Sequence, residues 1–446
     1  MSGTDSSLFA ALTDVGRQRD HNEDNFLVDR KLGLYLVCDG MGGHAAGEVA
    51  SALAVRTVHE EVKREADLIR DFAEARSGGA KVTRRDLLNM LEFAVNRASA
   101  RVHAEANKDA SKRGMGTTLV GVLLVGATAF VVWVGDSRIY LLRDGVIEQI
   151  TEDHNVHNEL IKRRKLSKEQ VEQLAPRNAI TRAVGVYEHA EPETIVIDVT
   201  GGDRFLLCSD GLSQYFEDER LTELGRLLSV PEAEEAAKRL IGAANEAGGS
   251  DNITTVIVGY GEVGVRDENR ARRLQRQRDT LARMPLFRPL NDREILRVLQ
   301  VTTVAAYADG EAIVREGELG EALYIVLTGQ VAVAAGGTQL KTLGEGEHFG
   351  EMALIRSQPR SATVSASGVC EVMVIRRSDF FEILRKEHQL AVKLLWQFTG
   401  VLADRLAETN RVLDQARELA AEDVTAELYD EDDDENRKTL VPALPG

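Results

Sequence analysis

The chain has 446 residues, of which 43% are hydrophobic, so it is long enough for two or three domains with cores of their own. Its formal net charge of −17 disfavours nucleic acid and anionic membranes as partners. Three cysteines are too few for a disulfide framework, and residues 1–16 lack the features of a secretion signal. We therefore expect a protein of the reducing cytoplasm.

Residues 8–261 mix strand patterns with two long helical patterns, at 45–66 and 84–107. The helices fall between groups of strands, which predicts an α+β domain of layered antiparallel sheets. Residues 119–135 are apolar enough to resemble a membrane span, but Gly121, Gly126 and Thr128 divide them into two segments rich in β-branched residues. We predict a buried hairpin there.

Four aspartates stand beside turn-forming residues. Asp39, Asp136 and Asp210 each follow an apolar strand-like run, and Asp251 lies in SDNIT. Mg2+ and Mn2+ prefer oxygen ligands and keep several waters, so a few carboxylates from distant segments suit them. Two such cations about 4 Å apart would activate a bridging water for attack at phosphorus.

Five segments carry a family resemblance: TDVGRQRDHNEDN at 13–25, DGMGGHAAG at 39–47, GDSR at 135–138, SDG at 209–211 and SDN at 250–252. Together they resemble the metal-dependent Ser/Thr protein phosphatases of type 2C, bacterial branch, over about residues 12–261. The resemblance implies a four-layer α/β/β/α sandwich. It also implies hydrolysis of phosphoserine and phosphothreonine on proteins, the substrates of Ser/Thr kinases, with two or three Mn2+ or Mg2+ ions.

The resemblance further implies roles for eight residues around the metals and the phosphate. They are Asp39, which bridges two metals; Gly40, whose carbonyl binds one; Asp210 and Asp251, which bind the other; Glu23 and Asp24, which hold metal-bound waters; Asp136, which with Asp210 binds a third, weaker metal; and Arg19, which grips the substrate phosphate. A guanidinium suits that task because it donates two parallel hydrogen bonds. Arg17 lies close by, but the spacing from Arg19 to Glu23 matches the family.

Met41 departs from the eukaryotic pattern, in which a His after the metal-binding Asp-Gly is the proposed general acid. His44 and a metal-bound water are the two alternatives for donating the proton. Residues 150–185 resemble the mobile flap of the family. Their basic side chains either meet an acidic phosphopeptide or form a solvated helix face: Arg163, Arg164 and Lys165. We predict that His154 and His157 are surface residues of this flap.

Residues 262–284 are rich in arginine without interleaved aromatics, which predicts a solvated helical linker and not a nucleic-acid patch. After residue 284, short strands punctuated by glycines predict a β-roll. The run FGEMALIRSQPRSATVSA at 349–366 resembles the phosphate-binding cassette of the cyclic-nucleotide-binding domain, and the resemblance covers 285–406. It implies a β-roll with flanking helices that binds cAMP or cGMP, and we favour cAMP.

Within the cassette, seven residues form the predicted nucleotide site: Gly350, Glu351, Met352, Ala353, Arg360, Ser361 and Ala362. Backbone N–H groups near Gly350 and the Arg360 guanidinium would bind the cyclic phosphate. Glu351 would accept a hydrogen bond from the ribose 2′-hydroxyl. The alternative is a packing module of the same fold that binds no nucleotide.

Residues 407–426 extend the last helix of this domain. Apolar and small residues alternate at spacings of four and three: Leu395, Thr399, Leu402, Leu406, Thr409, Leu413 and Ala416. This pattern predicts either a homodimer through a coiled coil or a helix packed on its own domain. The acidic residues 427–446 are predicted to be disordered.

These features together predict a cytoplasmic protein phosphatase, with nucleic acid and membrane excluded as partners. A cyclic nucleotide at the C-terminal domain would set its activity or location through the linker helix. The alternative function is a scaffold: a catalytically inactive phosphatase fold whose only ligand is a cyclic nucleotide.

Overall fold

The computed structural model describes residues 9–42, 46–74, 82–164, 179–217, 220–261 and 268–436. The chain divides into two compact units, Met1–Arg278 and Asp279–Gly446. The predicted linker is therefore split, because its residues up to Arg278 belong to the first unit and the rest to the second.

The first unit contains helices and strands in mixed order. In chain order they are β1 (Phe9–Asp14), β2 (Asn25–Asp29), β3 (Leu34–Cys38), β4 (Gly40–Met41), α1 (Ala46–Arg64), α2 (Ala66–Glu74), α3 (Arg84–Ala106), β5 (Gly116–Thr117), β6 (Leu119–Val125), β7 (Thr128–Val134), β8 (Arg138–Arg143), β9 (Val146–Gln149), α4 (Val156–Arg164), β10 (Glu193–Asp198), β11 (Arg204–Cys208), α5 (Asp210–Ser213), α6 (Leu221–Leu228), α7 (Ala233–Glu246) and β12 (Ile253–Gly259).

Two five-stranded antiparallel sheets form the centre of this unit, in the orders β1-β12-β11-β8-β9 and β10-β7-β6-β3-β2. The first sheet packs on α6 and α7 through a core that includes Phe216 and Leu240. The second packs on α1, α2 and α3 through a core that includes Phe72 and Leu91. This is the predicted four-layer α/β/β/α sandwich, and the α+β class is confirmed.

The predicted hairpin at 119–135 is confirmed as β6 and β7, which pair from Leu119 with Val134 to Val125 with Thr128. Every residue of β7 is buried, because the strand lies inside the sheet and between layers. Within the described ranges, the helices are all too short or too polar to cross a bilayer.

Helix α8 (Glu268–Arg283) follows the sandwich and crosses the division between the units. Its Arg270 side chain donates to the carbonyl oxygens of Val199 (3.0 Å) and Ala127 (2.8 Å) and to a carboxylate oxygen of Asp198 (3.0 Å). The following Ala271 is buried. The start of the helix is therefore attached to the first unit, where the sequence had predicted a solvated linker.

The second unit contains a β-roll and helices, again as predicted. In chain order they are α9 (Asp292–Gln300), β13 (Thr302–Tyr307), β14 (Ala312–Val314), β15 (Ala322–Ala335), β16 (Thr338–Leu343), β17 (His348–Phe349), α10 (Met352–Ile355), β18 (Thr363–Arg376), α11 (Arg377–Lys386) and α12 (His388–Asn436).

One face of this sheet lines the inside of the roll, with Val326, Leu343 and Val372 among its buried residues. The other face packs on helices through Leu323, Met373 and residues of α9, α11 and α12. The sheet order is β13-β18-β15-β16, with β14 beside β18 and β17 beside β15.

Helix α12 includes residues 427–436, for which we predicted disorder. Residues 401–436 contain no Gly or Pro and are rich in Ala, Leu and Glu, so helix propensity favours continuation despite the acidic charge. The remainder of the predicted tail, 437–446, lies outside the described residues.

Candidate functional site

The predicted metal-binding aspartates lie at strand ends of both sheets. Asp39 follows β3, Asp136 lies between β7 and β8, Asp210 follows β11 by two residues, and Asp251 precedes β12. The main chain of Asp39 is fixed from β5 and β6: its N–H donates to Thr118 Oγ1 (2.9 Å), and its carbonyl accepts from Thr118 N–H (2.8 Å). The segment that joins β5 to β6 thus holds the backbone of Asp39 in place.

Mutual electrostatic effects show that the carboxylates lie close together. Burial raises the pKa of Asp39 well above its usual range, and the charges of Asp24, Asp210 and Asp136 raise it further. Burial likewise raises the pKa of Asp24 to about 7, although the Ser209 hydroxyl, which donates to it at 2.8 Å, opposes the shift. The pKa of Asp136 is raised to about 7, again mainly by burial.

So many acidic groups in a cleft are costly unless a cation compensates their charge. Among the described residues, Oδ1 of Asp24 and Oδ1 of Asp210 are buried without a hydrogen-bond partner. No three His, Cys, Asp or Glu side chains in the described ranges form a complete metal-binding group. Oxygen donors of this kind, two of them without a hydrogen-bond partner, suit a hard divalent cation that keeps several waters. The donor set therefore fits Mg2+ or Mn2+.

Arg19 lies at this cleft, as predicted. Its Nη2 donates to Asp251 Oδ2 at 2.7 Å, while 52% of its side chain stays exposed. Arg17 instead anchors the main chain, since its N–H donates to the Gly249 carbonyl at 2.7 Å. The Arg19 side chain is thus bound to Asp251, one of the predicted metal ligands.

The segment with Glu23 is held from two sides. The Glu23 N–H donates to Asn252 Oδ1 (2.9 Å), and its carbonyl accepts from Gly40 N–H (3.2 Å). A Cβ on Gly40 would lie 2.2 Å from the Gly47 carbonyl oxygen, so glycine is required at this position. The predicted water-holding residues therefore sit directly against the Asp39-Gly40 turn.

The cassette of the second unit has a close contact at its centre. Gly350 has φ +79°, and a Cβ there would lie 2.3 Å from Arg360 Nη1. Arg360 Nη2 donates to the Ala322 carbonyl (2.9 Å), and its guanidinium lies 5.5 Å from the centroid of the Tyr324 ring. Glycine at 350 is therefore what admits the arginine beside the cassette turn.

The other cassette residues surround this pair. Glu351 and Ala353 are buried, Met352 is exposed at the start of α10, Ser361 is exposed, and Ala362 is partly buried. An open pocket of ≈ 840 Å3 lies beside Arg360 and Tyr324. Its lining includes three further arginines that the sequence analysis did not single out, Arg376, Arg377 and Arg385.

Comparison with known proteins decides the family. The description Protein phosphatase 2C matches residues 16–243, slightly more than half of the chain. The chain belongs to the protein phosphatase 2C family. A second description, Cyclic nucleotide-binding domain, matches residues 304–387.

Several bacterial relatives of this protein phosphatase 2C chain are named as phosphatases. Serine/threonine protein phosphatase PstP of Mycobacterium tuberculosis is 39% identical over 249 residues, a match of 56% of this chain and 44% of the relative. Serine/threonine phosphatase stp of Listeria innocua is 36% identical, a match of 55% of this chain and 93% of the relative. The chain thus spans less than half the length of the mycobacterial relative. A crystal structure of PstP matches 57% of this chain and 99% of its own, with 36% identity and a TM-score of 0.49.

The prediction that His154 is a surface residue is wrong. Only 6% of it is exposed, because its ring stacks on Trp133 with centroids 6.3 Å apart. His157 is partly buried on α4. His44, Lys165 and the side chains of Arg163 and Arg164 lie outside what the structure describes.

Sequence reasoning missed the polar residues that hold the aspartates. Thr118 accepts from Asp39 N–H and shares a 2.7 Å hydrogen bond with the Ser137 hydroxyl. Asn252 donates to the carbonyls of Val15 and His21. Their neighbours Asp136 and Asp251 were singled out, but a lone Thr, Ser or Asn beside an aspartate has no spacing of its own to mark it.

Proposed function

We propose that this protein is a protein-serine/threonine phosphatase that hydrolyses phosphoserine and phosphothreonine with two Mn2+ or Mg2+ ions. The observation that carries the proposal is the buried carboxylate cleft with Arg19 bound to Asp251 at its edge. When bound, the cations would activate a water and offset the charge that develops at phosphorus.

Each residue of the cleft then has a task. Asp39 and the Gly40 carbonyl would hold one ion, with Asp39, Asp210 and Asp251 holding the second. Glu23 and Asp24 would orient metal-bound waters, and Asp136 would hold a third, weaker ion.

Arg19 would position the substrate phosphate. One of the five N–H donors of Arg19 binds Asp251. The guanidinium of Arg19 is half-exposed, so its other donors can bind two phosphate oxygens. Met41 has no proton to donate, so the leaving serine or threonine oxygen would be protonated by His44 or by a metal-bound water.

The test is Mn2+-dependent phosphate release from a phosphothreonine peptide by the full chain. Asp39→Asn should abolish the release, because the variant loses a charge that both ions require. Hydrolysis that persists in this variant would refute the assignment of Asp39. A wild-type protein that hydrolyses nothing yet binds a cyclic nucleotide would favour the scaffold function.

We further propose that the second unit binds a cyclic nucleotide, with cAMP favoured over cGMP, and that binding alters phosphatase activity through α8. The position of Arg360 against Gly350, with Glu351 beside it, supports this proposal. A tenfold change in activity corresponds to about 1.4 kcal/mol of coupling. Calorimetry with cAMP and cGMP tests binding, and Arg360→Ala should weaken it by orders of magnitude.

A homodimer through α12 is the last part of the proposal. Leu390, Leu394 and Phe398 pack this helix on its own unit, whereas Leu395 (55% exposed) and Leu406 (63%) are open to solvent. Analytical ultracentrifugation should show a dimer that Leu406→Asp dissociates and Gln415→Asp does not. A monomeric wild-type protein would refute this part. Substrates would be cytoplasmic phosphoproteins, and the buried free thiols of Cys38, Cys208 and Cys370 suit that reducing compartment.

A further inference from the structure

We propose that His154 is a positioning residue of the metal centre, which fixes the backbone of Gly135 and through it the carboxylate of Asp136. This inference rests on the proposed metal-dependent activity. His154 lies in the segment that resembles the flap, and it contacts Gly135, the residue before Asp136.

The two residues are joined by a reciprocal pair of hydrogen bonds. The Gly135 N–H donates to His154 Nδ1 at 3.1 Å, and the His154 N–H donates to the Gly135 carbonyl at 2.9 Å. A backbone N–H can only donate, so Nδ1 carries no proton in this contact. The ring proton must therefore reside on Nε2.

Glu193 holds that tautomer. Nε2 of His154 lies 3.1 Å from Glu193 Oε1, which accepts a hydrogen bond from it, and Arg182 Nη1 donates to the same oxygen at 3.2 Å. Because the ring also stacks on Trp133, it has little freedom to rotate away from Gly135. Glu193 and the stacking on Trp133 thus fix the orientation of His154, and Glu193 together with the Gly135 N–H holds its tautomer.

The contact with His154 matters because the backbone of Gly135 would otherwise be flexible. Its φ is +101°, and a Cβ there would lie 2.7 Å from Thr118 Cγ2, so no other residue fits the turn. A glycine that precedes a carboxylate ligand gives that ligand a flexible backbone unless other groups hold it. Here Thr118 holds the loop through Ser137, and His154 holds it through Gly135.

The same histidine, near the start of the flap segment 150–185, also contacts residues near the end of that segment. Its carbonyl accepts from Thr181 N–H at 2.8 Å, and Asn155 forms an isolated β-bridge with Ile180. Thr181 and Arg182 lie just after the undescribed part of the flap. His154 therefore connects Thr181 of the flap segment to Gly135 in the loop of Asp136.

Two amide substitutions of His154 distinguish the contact made by Nδ1 from the contact made by Nε2. In His154→Asn the amide oxygen can take the place of Nδ1 and keep the bond to Gly135. In His154→Gln the amide reaches the place of Nε2, so the contact with Glu193 is kept and the one with Gly135 is lost. Both remove the ring and its stacking on Trp133, so a purely structural role predicts similar losses in both.

Binding of Mn2+ to the full chain, followed by calorimetry, is the first readout. We expect the weakest Mn2+ binding event to lose about tenfold or more in affinity in His154→Gln, as is usual for residues that orient ligands, and His154→Asn to stay much closer to wild type. Equal affinities in the two variants would overturn the proposal. A wild-type protein that binds no Mn2+ would instead refute the proposed function.

The second readout needs no metal. Nitrogen-15 NMR of the wild-type protein should show His154 with its proton on Nε2, and a proton on Nδ1 would overturn the proposal. If His154→Gln fails to fold, as judged by thermal unfolding, Glu193→Ala carries the test instead. It leaves the ring in place but removes one of the two contacts that hold its tautomer and orientation, so it should weaken the same Mn2+ binding event, and an unchanged affinity would refute the role of His154.

Discussion

Replacing Gly350 by alanine should disable the nucleotide site without touching a predicted ligand-binding side chain. The new Cβ would lie 2.3 Å from Arg360 Nη1 and 2.9 Å from the Ala322 carbonyl oxygen, so the guanidinium must move. The left-handed backbone adds strain of roughly 1–2 kcal/mol for any residue other than glycine. Loss of the bond from Arg360 to Ala322 adds about 1 kcal/mol.

Gly346→Ala is the matched control. Gly346 has φ +82°, but a Cβ there has nothing within 4 Å, so the variant has the backbone strain without the clash. Thermal unfolding should therefore show Gly350→Ala as the less stable variant by about 1 kcal/mol, or about 2 to 4 °C for a domain of this size.

Nucleotide affinity gives the sharper contrast. Charge-assisted hydrogen bonds contribute about 1.5–3 kcal/mol each, so a displaced Arg360 should cost about tenfold or more in affinity. Calorimetry with cAMP should show this loss in Gly350→Ala and a change of less than about twofold in Gly346→Ala. Equal affinities in the two variants would refute the view that Gly350 admits Arg360 to the site.

Three further predictions concern the first unit. In metal-free protein the pKa values of Asp24 and Asp136 are raised to about 7. The contribution of these two groups to the free energy of unfolding is therefore complete below about pH 4 and is lost as the pH rises through 7. Thermal unfolding in EDTA should show this loss of stability, and saturating Mn2+ should abolish it. Thr118→Val removes the hydroxyl that accepts a hydrogen bond from Asp39 N–H and should lower kcat about tenfold or more. Thr118→Ser keeps a hydroxyl and should retain most of the wild-type kcat. Equal kcat values in the two variants would contradict the role of the hydroxyl. The Arg204 guanidinium donates to the carbonyls of Leu228, Val230 and Pro231, and Arg204→Leu leaves these carbonyls without that donor. The variant should lower the free energy of unfolding in urea by about 2 kcal/mol or more. A change below about 0.5 kcal/mol would contradict this structural role of Arg204.

The layered antiparallel sheets and the aspartates at their edges were predictable from local patterns, whereas the four-layer order came from the family resemblance. An apolar strand-like run ending in Asp-Gly or Asp-Ser places a carboxylate at a sheet edge, whichever strands are neighbours. The choice of Arg19 came only through the family spacing to Glu23, and its contact with Asp251, 232 positions away, was not predicted.

The role of His154 could not be predicted in this way. Its burial depends on Trp133, and its ligand-like contact is with a backbone N–H of Gly135, which has no side chain to signal it. The extent of α12 was misjudged for a different reason: acidic composition suggested disorder, while the absence of Gly and Pro favoured helix. The acidic charge of residues 427–436 predicted disorder and their helix propensity predicted helix, and the sequence alone did not show which effect is larger.

The attachment of Arg270 has a consequence for anyone who dissects this chain. A shortened protein that ends after β12 would lose a partner of the Ala127 and Val199 carbonyls and of Asp198, which would retain its ion pair with Arg84 at 2.7 Å. The turnover of this shortened protein would then reflect the altered sheet end as well as the absence of the second unit. A shortened protein that ends after Arg278 keeps Arg270. Comparing the turnover of the two shortened proteins would therefore distinguish an effect of the lost Arg270 contacts from an effect of removing the second unit.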